Sequence, residues 1–289
     1  MQKLSLLILF TIITVLSACE DAIDLKVDQG QSYPVVDAWI TDEAIPQKIV
    51  LTQSVAYTTP GKAPAISDAT VTLYDVTAGK TYPFAFQDNA YRYDAGAGQA
   101  IGVVNHVYKL SITYKGEIFE AYDTLKRVPP IDSISYEFKT KEESVSNKEG
   151  YYAKFHATDL PNGMDYYWIR SYRNNLTQRL EDGFSVNGSY DEDIAIDGGK
   201  FILPIAENIT DYLKPFQKDE TVIVRLMSVT KGTHQFLVQV NEQMTPGGLF
   251  AKVLENVKSN LRNTEKDGKY RLLGWFATSG VSQSEKIVK

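Results

Sequence analysis

Ala69-Thr70-Val71-Thr72-Leu73-Tyr74-Asp75 alternates without a break: Val71 and Leu73 fall on one face of an extended chain, and Thr70, Thr72 and Tyr74 on the other. Successive side chains of a strand point to opposite sides, so this period marks a β-strand with one buried face. The β-branched and aromatic residues in it suit a pleated surface.

The same texture extends in both directions. Residues 33–40 and 47–52 precede it as strand-like runs, with the turn-rich stretch Thr59-Pro60-Gly61-Lys62-Ala63-Pro64 between them and it. Residues 81–86 and 90–93 follow, divided by Gln87-Asp88-Asn89. Residues 107–114 and 117–124 then flank Lys115-Gly116, a two-residue hairpin turn. Some seven strands over about 95 residues, spaced by turns, is the pattern of a small β-sandwich. Val128-Pro129-Pro130 comes next. A double proline lacks two ladder donors and stiffens the chain, so residues 126–132 read as a linker.

Beyond the linker the β texture resumes at 133–138 and 151–157, around a polar loop. Residues 165–172 form a strongly aromatic strand, and 173–200 are polar and glycine-rich, a long excursion with short strands. Core strands are expected at 201–205 and 221–230, and a last apolar strand at 270–277. One segment has a different period: Phe236, Leu237, Val240 and Met244 are spaced by threes and fours, the stripe of an amphipathic helix over 233–244. Thr233 is placed to cap it, and Pro246-Gly247-Gly248 to end it. The fold class that follows is mostly β, with two β-sandwich-like domains. These are an N-terminal Ig/transthyretin-like one over 33–125 and a larger C-terminal β domain with one amphipathic helix over 133–289.

The first residues have another character. Lys3 precedes an apolar run over 4–16, broken only by Ser5, Thr11 and Thr14. About 20 apolar residues are needed to span a bilayer, so the run suits the core of a secretory signal peptide better. Leu16-Ser17-Ala18-Cys19 resembles the bacterial lipobox, in which the cysteine thiol is diacylated and the chain is cut before it. The expectation is a signal peptide over 1–18, cleavage between Ala18 and Cys19, lipid on Cys19, and an acylated tether over 19–32. Cys19 is the only cysteine, so the mature chain has no internal disulfide or thiolate cluster. Each buried CH₂ of an acyl chain contributes roughly 0.8 kcal/mol, which makes the membrane the first expected partner. Glu20, Asp21 and Asp24 follow the cysteine, either as an outward export signal or as a solvated acidic tether.

Composition excludes several classes. Hydrophobic residues make up 43% and charged residues 23%, proportions of a globular domain. Net charge is −6 with dispersed basic residues, which argues against nucleic acid as a partner. There are 18 tyrosines against 4 methionines, a bias toward strands.

Motifs for chemistry are sparse. His106, His156 and His234 form no H-x-x-x-H pair, and Gly183-Phe184-Ser185-Val186-Asn187 lacks the closing glycine of a nucleophile elbow. Asp191-Glu192-Asp193 and Asp197 could gather calcium, yet Ala195 stands where such a loop needs a ligand, which favours a solvated acidic loop. No metal, cofactor or catalytic residue is expected. Tyr166, Tyr167, Trp168 and Tyr172 are candidate ligand-binding aromatics, although alternation sends Tyr167 to the face opposite Tyr166 and Trp168.

Several landmarks together resemble a known family. They are Tyr33-Pro34-Val35-Val36-Asp37-Ala38-Trp39-Ile40-Thr41-Asp42, Ile49-Val50-Leu51-Thr52-Gln53-Ser54, Ile66-Ser67-Asp68-Ala69-Thr70-Val71 and Ile131-Asp132-Ser133-Ile134. Val257-Lys258-Ser259-Asn260-Leu261 and Leu273-Gly274-Trp275-Phe276 complete them near the end. The chain resembles the DUF4249 family of Bacteroidota outer-membrane lipoproteins. That resemblance implies a non-enzymatic accessory or ligand-binding partner of a TonB-dependent receptor or other envelope complex, with an outer-membrane β-barrel receptor as its expected partner. Asp123-Thr124-Leu125 and Asp132-Ser133-Ile134 match the short O-glycosylation pattern of those bacteria, at Thr124 and Ser133. Two other functions stay open on sequence alone. One is a glycan-active enzyme using dispersed carboxylates such as Asp165 and Glu181; the other is a passive structural or adhesive surface protein.

Overall fold

The computed structural model describes residues 31–56, 59–244 and 257–289. The signal peptide, Ala18, Cys19, most of the tether and the Pro246-Gly247-Gly248 stop lie outside them. The protein is mostly β, 46% strand and 8% helix.

The seven strands read from the first half are present as β1 (Pro34–Thr41), β2 (Gln47–Gln53), β3 (Thr70–Asp75), β4 (Lys80–Gln87), β5 (Ala90–Tyr93), β6 (Val107–Tyr114) and β7 (Glu117–Thr124). The turn at Lys115-Gly116 has positive φ at both residues, 51° and 83°, the geometry of a type I′ hairpin. β4 pairs with β3 through its first half and with β5 through its second, so the sheet curls over at that strand. Val36, Ile40, Leu51, Leu73, Leu110, Ile112 and Phe119 fill the space inside the curl. The arrangement is sandwich-like.

The second half contains a two-stranded hairpin, β8 (Ile131–Lys139) and β9 (Gly150–Ala157). Strands β10 (Tyr166–Arg173), β11 (Arg179–Val186), β12 (Thr221–Val229) and β15 (Val281–Ile287) build a second sheet, in the order β11-β10-β12-β15. Between them lie the helices α1 (Leu203–Glu207) and α2 (Lys231–Met244). Phe155, Tyr167, Ile169, Ile205, Phe216, Val222, Val224 and Leu226 form the core between the hairpin, the second sheet and α1.

The sequence partition at 126–132 needs correction. β13 (Arg262–Asn263) and β14 (Leu273–Ser279) return to the first sheet, whose order is β13-β7-β6-β3-β4-β5-β2-β1-β14. β14 lies parallel to β1, a pairing that requires a long crossover, here most of the chain. Only Gly280 separates β14 from β15, so the chain steps from one sheet to the other across a single residue. A Cβ at Gly280 would stand 2.8 Å from the Lys126 carbonyl oxygen. The Ser228 hydroxyl donates to that same oxygen at 2.6 Å, while Arg127 donates to Asp165 at 2.7 Å. The proline-rich segment is therefore tied down, and Ser32–Lys289 form one compact unit.

Three local expectations also shift. Residues 201–205 are not a strand. Pro204 sits in the first turn of α1, where its fixed φ and missing N–H cost nothing, and Ile205, Ala206 and Ile209 turn into the core. Helix α2 begins at Lys231 rather than at Thr233, after Thr230. Thr233 is instead buried, and its hydroxyl accepts the Trp275 indole N–H at 3.0 Å. Finally, β15 went unread because Val281-Ser282-Gln283-Ser284-Glu285-Lys286-Ile287 is polar, as an edge strand can be.

A third cluster joins the sheets. Trp39 tilts against Trp168 with centroids 4.8 Å apart, and Trp275 stacks on Phe236 at 4.4 Å. Asp123 accepts the Thr278 N–H at 2.7 Å and the Thr230 hydroxyl at 2.9 Å, linking β7, β14 and the start of α2. Burial holds the Asp123 carboxyl above its ordinary pKa despite these donors.

Candidate functional site

The aromatic strand β10 splits as its alternation requires, but it offers little free ring surface. Tyr167 is fully buried in the second core and donates its hydroxyl to Asp159. Burial pushes that phenol upward, and the Asp159 carboxylate reinforces the effect. Trp168 and Tyr172, only 6% and 3% exposed, lie on the opposite face with the Arg170 guanidinium over both rings at 4.6 and 5.5 Å. Of the four, Tyr166 alone is partly open; its ring meets His234 and its hydroxyl donates to Glu192 at 2.9 Å.

Other flagged residues are dispersed. Ser133 is exposed on β8, whereas Thr124 is half-buried between Asp123 and Leu125, both locked in the interior. Asp165 is buried and held by Arg127, and its carbonyl accepts the Asn187 N–H. Glu181 lies six positions before Asn187 along β11, roughly 20 Å away at about 3.3 Å per residue. A glycosidase pair needs about 5–10 Å, so these two acids do not face each other. In the acidic loop, Glu192 pairs with Lys231, and Asp197 accepts the Asn162 and Gly163 N–H groups. Among the described residues no group of three or more His, Cys, Asp or Glu is arranged to hold a metal.

The histidines have separate environments. His106 Nδ1 contacts Asp75 at 2.8 Å, and exposed His156 contacts Ser135 at 2.7 Å. His234, in the first turn of α2, differs from both: its Nε2 is buried and has no hydrogen-bond partner among the described residues. Its ring is walled by Tyr166 and Phe184, and burial holds its pKa below the ordinary histidine value.

His234 borders the cleft that stands out on chemical grounds, a recess of about 250 Å³. Its floor is the outer edge of β11 at Asp182, Gly183 and Phe184; Pro204, Ile205 and Asn208 close one side, and His234 and Val238 of α2 the other. Tyr190, 57% exposed, stands at the rim. Apolar walls with a few convergent polar groups are the usual make-up of a binding site. A second groove of about 240 Å³, on the outer face of β8 and β9, is lined by Ser135, Glu137, Lys139, Lys154, Glu207 and Tyr212. Lys139 is already neutralised there by Glu137 at 2.8 Å, which leaves less unmet demand.

The cleft residues come from three separated segments, and only the helix-start position of His234 hinted at any of them. Gly274, one of the landmark residues, proves structural: its φ is +92° and its α-carbon packs against the β1 backbone at Val36. Asn260 is likewise structural, its side chain exchanging two hydrogen bonds with the Phe276 backbone at 2.7 and 2.9 Å.

Two comparisons bear on identity. No curated protein matches the chain. A family model described as a domain of unknown function, DUF4249, matches residues 20–285.

Proposed function

The chain belongs to the DUF4249 family, and on that premise we propose that it is a lipid-anchored outer-membrane protein that binds a partner, an accessory of a TonB-dependent β-barrel receptor. The observation behind the anchor is Leu16-Ser17-Ala18-Cys19 placed after a short apolar run, with Cys19 the only cysteine in the chain. Among the described residues no helix is long and apolar enough to cross a membrane, so in this proposal the attachment rests on the lipid. What supports binding is the cleft beside β11: apolar walls, with a buried imidazole nitrogen at its border that has no hydrogen-bond partner among the described residues.

The proposal makes separable demands. Replacing the thiol, Cys19→Ser, moves the protein from the membrane fraction to the soluble fraction; retention in the membrane would remove the anchor. Crosslinking in native membranes captures a β-barrel receptor with the wild-type chain. If no barrel is captured, the receptor assignment fails while the anchor stands.

A further inference from the structure

We infer that the outer edge of β11 is a docking strip for an extended peptide segment of a partner protein, with an apolar side chain entering the cleft and a basic residue beside it. This deepens the proposed partner-binding role and rests on it for the partner's identity.

The backbone supplies the first argument. Val186 exchanges N–H···O bonds of 2.8 Å with Ser189, so its peptide groups point away from β10. In an antiparallel ladder this direction repeats at every second residue. Phe184 and Asp182 therefore present N–H and C=O groups outward as well, at the cleft floor. Among the described residues no group answers them there. Free strand edges are normally blunted by charge, proline or a covering element. Here the edge lies open inside a recess with apolar walls, which is the arrangement of strand addition.

The walls define the side chain. Val238 lines the recess from α2, and Pro204 and Ile205 line it from α1, while Asn208 and the His234 ring give its wall some polar character. About 250 Å³ falls below the roughly 300–1,000 Å³ of small-molecule pockets and suits an anchoring side chain. Charge defines its neighbour. Asp191 and Asp193 follow Tyr190 at the rim, and among the described residues no cation pairs with either, whereas Glu192 is taken by Lys231. A basic residue next to the anchor meets that charge.

The test uses the full chain in detergent and fluorescein-labelled acetyl-Lys-Val-Lys-Val-Lys-Val-amide as probe, read by anisotropy and by hydrogen exchange over 179–186. The expected result is saturable binding that slows exchange of the Asp182 and Phe184 amides. Val238→Arg fills the recess and weakens binding at least tenfold, as does N-methylation of alternate peptide amides. Should Val238→Arg fail to fold, D191K/D193K in the exposed rim serves instead, and shifts preference to acetyl-Glu-Val-Glu-Val-Glu-Val-amide. Unchanged exchange at saturation, or equal affinity for the N-methylated peptide, would overturn the inference. Protection of β11 that rises with protein concentration alone would mean a second copy occupies the edge, and would overturn it too. Because purified protein is used, failure here leaves the membrane experiments on anchor and receptor untouched.

Discussion

Replacing Gly274 by alanine tests whether the end of the chain closes the first sheet. Gly274 has φ +92° and stands opposite Val36 in the parallel register of β1 and β14. A Cβ there would lie 2.8 Å from both the nitrogen and the carbonyl carbon of Val36, and nearer still to its carbonyl oxygen. These are backbone atoms within a ladder and cannot swing aside. The left-handed conformation alone costs an L-residue about 1–2 kcal/mol. Pushing β14 off β1 far enough to admit the methyl sacrifices one or two ladder hydrogen bonds, each worth about 1 kcal/mol net. The sum is about 2–4 kcal/mol, a large part of the ~5–15 kcal/mol available to a typical domain. Gly79→Ala is the control, because Gly79 has φ +66° with nothing within 4 Å of a built Cβ; it carries the conformational cost of about 1–2 kcal/mol without the clash. Urea unfolding followed by tryptophan fluorescence is suited to the comparison, since Trp39, Trp168 and Trp275 all lie where the sheets meet. Equal losses for the two variants would refute the close approach of β14 to β1.

Other predictions follow from the buried polar groups. Asp123→Ala strands the Thr278 N–H and two hydroxyls away from water, and is expected to cost about 2–3 kcal/mol by denaturant midpoint. Tyr167→Phe removes the hydroxyl that serves Asp159 and should cost about 1–2 kcal/mol, measured the same way. His234 supplies a pH dependence. Its folded pKa lies below the ordinary value of 6.5, so the unfolded chain takes up the proton first. Its contribution is present above pH 6.5 and is lost as pH falls from there toward the folded pKa. His234→Gln should therefore lose less stability than wild type between pH 7 and 5.5, and identical profiles would contradict the burial of that ring. Asp123 and Asp159 act with the opposite sign, since burial raises both. Their ionisation opposes folding above the raised pKa, and acidification toward the ordinary value of 3.8 relieves that cost.

Most strands of the first half were legible because one face is buried and the other more open, and Val71, Leu73 and Thr72 announce that directly. The hairpin at Lys115-Gly116 was legible from its turn chemistry. What failed was the assignment of strands to sheets. β14 pairs with β1 although more than two hundred residues separate them, and periodicity carries no information about partners. Pro204 turned an apolar run into a helix start, a choice settled by Ile205 and Ile209 packing into the second core. The aromatic run in β10 looked like a platform because composition cannot distinguish a ring facing solvent from one under an arginine. The cleft was invisible for a similar reason: Phe184, Asn208 and Val238 belong to three elements and only the fold assembles them.

The proposal as a whole meets its most direct test in a gentle-detergent pull-down from native membranes through a C-terminal tag, followed by mass spectrometry. The account predicts an N-terminal peptide that begins at Cys19 and bears acyl chains, together with a β-barrel receptor in comparable amount. An N-terminus without lipid, and no barrel retained, would contradict it.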